Sequence, residues 1–166
     1  MNVCFIGHKK INISEELISS LKETIMMLID KGVTTFLFGS GSEFNDLAWK
    51  IVTELKSTYQ NISRVYVRAT HQNLNNFYEE YLLKLYEETY FPPQIQNSGK
   101  YSYIERNQEM IDKSTYCVFY YDESYIPAIK RQPKHTPLKS YQRSSGTKIA
   151  YAYAVKKEKH IINLFK

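Results

Sequence analysis

Two cysteines, six glycines, five prolines and one tryptophan in 166 residues deny several classes of protein their raw material. Cys4 and Cys117 both lie inside apolar runs, with no CxxC pair and no Cys/His cluster at metal-ligand spacing. Neither a disulfide framework nor a metal site is therefore expected, and both residues read as buried thiols. No window approaches the ~20 apolar residues of a membrane span, and the first residues lack the basic, apolar and small-residue succession of a signal peptide. A cytoplasmic protein with no membrane contact is expected. Neither GxGxxG nor the Walker pattern with its lysine occurs, and no Ser/His/Asp set can be assembled from spacing. No cofactor is expected.

What the chain does hold is 43% hydrophobic and 14% aromatic residues, enough to fill one core, so one domain over residues 1–166 is expected. The net charge of +5 permits an anionic partner without implying nucleic acid. The most basic stretch, Lys130, Arg131, Lys134, His135, Lys139 and Arg143, contains no acid and is broken by Pro133 and Pro137. It reads as a loop, either a solvated one or a flap over an anionic ligand. Fifteen tyrosines exceed what one small core requires, which leaves some for a homodimer surface.

Short β-rich runs alternate with helical patterns, the sequence form of βαβ units around a mostly parallel sheet. The runs are 3–6, 34–38, 64–67, 116–121 and 160–164. They predict an α/β fold, a Rossmann-like three-layer sandwich on a five-stranded sheet. Ser14 caps a first helix that continues to the Gly32 stop. A second helix carries Leu47, Ile51, Val52 and Leu55. A third carries Leu74, Phe77, Tyr78, Tyr81, Leu82 and Leu85 on a stripe expected to face the core. Residues 90–99, with Pro92 and Pro93, are expected to form a connecting loop, and helices resume over 103–113 and 146–157.

In an open parallel sheet, ligands bind beyond the carboxyl ends of the strands. The first strand there runs into Gly7 and His8, the second into Gly39, Ser40, Gly41 and Ser42, and the fourth into Asp122. The last helix opens on Ser145, Gly146 and Thr147. Small residues between strand and helix let backbone N–H groups approach phosphate oxygens, so each turn is either a phosphate cradle or a plain tight turn or cap. Two such turns on one predicted edge favour a phosphate-bearing ligand. Arg106 and Asn107 lie in a helix that precedes a buried strand, and the arginine is either half of a surface ion pair or a bidentate contact for phosphate or carboxylate. His8 is either a ligand contact or a structural histidine.

The segments CFIGHKK, FGSGSEFNDLAWKIVTELK, RNQEMIDKSTYCVFYYD and SSGTKIAYAYAVKKEKHIINL together resemble the SLOG superfamily, specifically its YpsA-like branch, over nearly the whole chain. That superfamily also includes the DprA Rossmann domain and the LOG phosphoribohydrolases. The resemblance implies a nucleotide-derived ligand at the sheet edge, with the glycine-rich turn on Gly39 to Ser42, the Arg-Asn pair on Arg106 and Asn107, and a second turn on Ser145, Gly146 and Thr147. Departures are Glu43 where glycine is common, Asn45 where aspartate is common, and Lys148, Ile149 and Ala150 where the phosphoribohydrolases carry a glutamate.

The leading expectation is a domain that binds or senses a nucleotide or nucleotide derivative, with Phe44 or Tyr121 stacking on the base. The alternative is N-glycosidic cleavage. That reaction needs a carboxylate to stabilise the positive charge developing on the ribose, and Glu43, Asp122 or Asp46 would have to supply it. DNA binding through the basic loop is a third and lesser reading.

Overall fold

The computed structural model describes residues 1–39, 41–70, 76–127 and 145–166, with the backbone alone at Asn76. Among these residues the order is β1 Asn2–Gly7, α1 Glu15–Asp30, β2 Thr35–Phe38, α2 Glu43–Leu55, β3 Ser63–Val67 and α3 Asn76–Leu85. β4 Glu88–Tyr90, α4 Lys100–Asp112, β5 Tyr116–Tyr120, α5 Gly146–Lys156 and β6 His160–Asn163 follow. The strands form one sheet in the order β4-β3-β2-β1-β5-β6. Every neighbouring pair is parallel.

The expected Rossmann-like α/β fold is therefore present, with six strands rather than five. The sixth, β4, starts inside what reads as helix end and loop. Its placement comes from Glu87, whose carboxylate accepts from the Arg64 backbone N–H and guanidinium at 2.6 and 2.7 Å, while the Glu87 N–H returns to Arg64 O. This clamp pins the chain to the β3 edge just long enough for three paired residues.

Two cores lie on opposite faces of the sheet. Val3 and Phe5 of β1 and Phe36 and Phe38 of β2 point to one face, where Leu21, Ile25 and Leu28 of α1 and Phe44, Ala48, Ile51 and Val52 of α2 cover them. Cys4, Ile6, Leu37, Val65 and Cys117 point to the other, under Met110 and Ile111 of α4 and Ala150 and Ala154 of α5. Alternate strand residues thus face alternate layers, and each fully buried large side chain contributes about 1.5–3 kcal/mol. Both cysteines are free, buried thiols, as expected from their apolar context.

The third helix departs from expectation. Leu82 is buried, but Phe77 is 82% exposed and Tyr81 and Leu83 are exposed as well. A helix beside the edge strand has core on one side only, so a broad apolar stripe exceeds what it can cover. Leu74 and the basic loop of 130–143 lie outside the described residues.

Candidate ligand-binding site

The chain leaves β1 toward β2 on one side of the sheet and returns to β5 on the other, so the loops after β1 and β5 diverge. A crevice opens at such a switch point. It holds a cavity of about 530 Å³. Gly7, His8, Gly41, Ser42, Arg106, Asn107, Ser145, Gly146 and Thr147 all line it, which brings residues from four separate segments onto one rim. Gly39 sits immediately beneath, and Ser40 lies outside the described residues.

The turn after β2 is organised by Asn45. Its Oδ1 accepts from the Gly39 N–H at 3.0 Å, and its Nδ2 donates to Phe5 O at 3.0 Å. Ser42 caps α2, its Oγ accepting from the Asn45 N–H at 3.2 Å. A buried amide with both ends engaged ties β1 to the turn, and an aspartate could not make the Phe5 contact because a carboxylate has no hydrogen to give. Gly41 has φ +93°, which only glycine adopts without strain. Sequence reasoning missed Asn45 as a positioning residue, although its departure from the common aspartate was the available signal.

Gly39 lacks a side chain for a separate reason. A Cβ there would collide with the Arg106 guanidinium. Arg106 is 4% exposed and lines the cavity wall. Its Nε donates to Asn107 Oδ1 at 2.9 Å and Nη1 to Val67 O at 3.3 Å, so Asn107 orients the guanidinium. Among the described residues it has no carboxylate partner. Burial pushes its pKa down to about 10, which leaves it charged at neutral pH. A buried unpaired cation is costly, and an anion in the cavity is the group that would offset it.

On the other side of the crevice, His8 is 2% exposed. Its Nε2 accepts from the Asp122 N–H at 2.9 Å and lies 3.2 Å from Asp122 O. The ring proton accordingly sits on Nδ1, which is buried without a partner among the described residues. An unsatisfied buried donor costs about 1–3 kcal/mol. Burial lowers the His8 pKa, the backbone and charge of Asp122 opposing it. The Asp122 carboxylate accepts from Ser124 N–H at 2.8 Å and Ser124 Oγ at 2.6 Å, closing a turn that lays the Tyr125 ring on His8 with centroids 3.9 Å apart.

Ser145 caps α5, its Oγ accepting from Lys148 N–H at 3.0 Å. The capping reading of this turn thus holds, and it coexists with a place on the cavity rim. The first N–H groups of a helix have no intrahelical partner and carry the positive end of its dipole. At α2 this opportunity is narrower, because the Glu43 N–H already donates to Lys9 O at 3.1 Å.

The family model YpsA, described as the YspA SLOG family, matches residues 3–155. The chain belongs to this family. A search of curated proteins finds no match. Membership of the YspA SLOG family points to a nucleotide-related function. Its glycine turn, arginine and second turn, placed from the motif resemblance, are the segments that meet at this cavity.

The carboxylates considered for catalysis do not meet there. Glu43 accepts from the Ile11 N–H at 3.0 Å and pairs with Lys10, so the side chain that replaces a glycine fastens the loop after β1 to α2. Neither Glu43, Asp46 nor Asp122 lines the cavity. The expected stacking aromatics are displaced too. Phe44 is fully buried, packed where a Cβ on Gly7 would be, and Tyr121 stacks on Tyr151 with centroids 4.5 Å apart. Tyr103 and Tyr125 are the rings on the rim.

Proposed function

We propose that this protein binds a phosphate-bearing nucleotide or nucleotide derivative in the cavity at the β1/β5 switch point. The observation that carries the reading is Arg106, a buried guanidinium on the cavity wall with no carboxylate partner among the described residues. Lys9 and Lys100 add positive charge to the rim, Lys10 being paired with Glu43, and the α5 N-terminus adds the positive end of its helix dipole. Tyr103 and Tyr125 offer flat apolar faces for a base. The volume suits a nucleotide-sized ligand.

Binding is favoured over N-glycosidic cleavage by the chemistry of the lining. None of the lining residues is acidic, and residues 128–144 contain no Asp or Glu. Cleavage through an oxocarbenium-like state requires a carboxylate beside the ribose. The test is a thermal-shift screen of the full chain with AMP, ADP-ribose, NAD and cyclic nucleotides, followed by chromatography of the mixtures. A raised melting temperature with intact ligand is expected. Release of free base or ribose phosphate in many turnovers would make the protein an enzyme, and no shift with any of them would end the nucleotide reading.

A further inference from the structure

His8 occupies a position that a merely structural histidine would not need. It lines the cavity, it is almost wholly buried, and Nδ1 has no partner among the described residues. Nε2 has two, because the backbone N–H and C=O of Asp122 lie 2.9 and 3.2 Å away. In the neutral ring Nε2 accepts from that N–H. In the doubly protonated ring the same nitrogen can donate to that C=O only once the Asp122 N–H has turned away from it, because a protonated nitrogen has no lone pair left to accept. The neutral ring is therefore the one that the Asp122 side satisfies as it stands, and a second proton costs both a buried charge and the bond from the Asp122 N–H.

The surroundings set that cost. From the loop after β1 come Lys9 and Lys10, the latter paired with Glu43, and from α4 across the cavity come Lys100, Tyr103 and Arg106. The loop after β5 brings Tyr121, Tyr125 and the Asp122 carboxylate, which Ser124 engages. The α5 N-terminus brings Ser145, Gly146 and Thr147, none of them acidic. An empty cavity therefore keeps the ring neutral. A dianion seated against it reverses the balance.

We propose that His8 reads the charge of the bound phosphate: it donates its Nδ1 hydrogen to a phosphate oxygen and takes a second proton, from solvent, on Nε2 when that phosphate is dianionic. The cavity then selects terminal phosphate monoesters over phosphodiesters, which carry a single negative charge. This rests on the nucleotide reading above and names the ligand class within it.

Calorimetric titration of the full chain with AMP and with 3′,5′-cyclic AMP at pH 7.5, in two buffers of different ionisation enthalpy, tests it. AMP, whose phosphate is then almost fully dianionic, is expected to bind at least about tenfold more tightly than the cyclic diester, with net proton uptake. His8→Gln, whose amide keeps a partner for the Asp122 backbone, is expected to bring the two affinities within about threefold and abolish the uptake. Side-chain ¹⁵N spectra of the unaltered chain give a reading independent of any variant: one histidine with its proton on Nδ1 when free, and protonated on both nitrogens with AMP. Equal affinities without proton uptake, or a His8→Gln chain that keeps both preference and uptake, would overturn the proposal while leaving nucleotide binding intact. Failure of AMP, cyclic AMP, ADP-ribose and NAD alike to bind would instead remove the nucleotide reading on which it stands.

Discussion

The Arg106 guanidinium fills the space that a side chain on Gly39 would need. The glycine turn after β2 therefore serves a side chain from α4 as well as any ligand above it, and the arginine is held by what the turn lacks.

Gly39→Ala should consequently behave as an overpacked core variant. The added methyl meets the guanidinium, and a loss of about 1–3 kcal/mol in urea unfolding is expected, together with loss of the ligand-induced thermal shift. A stable variant that still binds nucleotide would mean that Arg106 can leave its seat without consequence.

Arg106→Met separates stability from binding. Removing a buried charge that lacks a carboxylate partner should leave the free chain within about 1 kcal/mol of its original stability, or raise it, while nucleotide affinity falls about ten- to a hundredfold. Calorimetry and denaturant titration measure the two quantities separately. A chain that unfolds more readily by several kcal/mol yet binds as before would assign Arg106 a structural role alone.

Asn45→Asp replaces the hydrogen given to Phe5 O with a lone pair facing it. A destabilisation of about 1–3 kcal/mol is expected at pH 7. A protonated aspartate regains a donor, so the penalty should shrink as pH falls toward about 4. Denaturant midpoints of both chains between pH 7 and pH 4 decide it, and a pH-independent difference would contradict the bonding described.

His8 predicts a pH dependence of the free chain. Its folded pKa lies below the ordinary 6.5, so the unfolded chain takes up a proton first as pH falls. Stability should be constant above that value, decline as pH drops from about 6.5 to the lowered pKa of the folded ring, and then level off with respect to this group. Glu43, held below the usual 4.5 chiefly by the hydrogen bond from Lys10, and Glu87, where burial pushes the pKa up but the bonds from Arg64 together with the charges of Arg64 and Lys56 outweigh it, lose their contribution at lower pH still. Denaturant unfolding at pH 7.5 and 5.5, with and without His8→Gln, isolates the effect. An identical slope in both chains would assign it elsewhere.

The layered fold was legible because buried parallel strands such as Cys117–Phe119 read as continuous apolar runs and α1 keeps its period from Leu17 to Leu28. β4 was not. Glu88, Thr89 and Tyr90 have no pattern of their own, and partners distant in sequence make them a strand: the Arg64 clamp on Glu87, the bond from the Thr89 hydroxyl to Tyr66 O and that from the Arg68 N–H to Tyr90 O. Phe44 was read as a ligand contact from its place beside the turn, but the space left by Gly7, a residue 37 positions earlier, draws it into the core. At the site, turn chemistry and the arginine could be found from residue types and resemblance. The orphaned nitrogen of His8, the doubly engaged amide of Asn45 and the withdrawal of Glu43 into a loop fastening depend on long-range backbone partners that composition does not record.

A wall of lysines, arginine and amide hydrogens without carboxylates has a bearing on magnesium. Among the described residues such a surface offers a hard cation hydroxyl and amide oxygens but no charged ligand, so on the nucleotide reading phosphates should enter it largely bare, and chelation in solution would withdraw them. Millimolar magnesium should then weaken binding of the proposed ligand, most strongly for ligands with adjacent phosphates that grip the ion best.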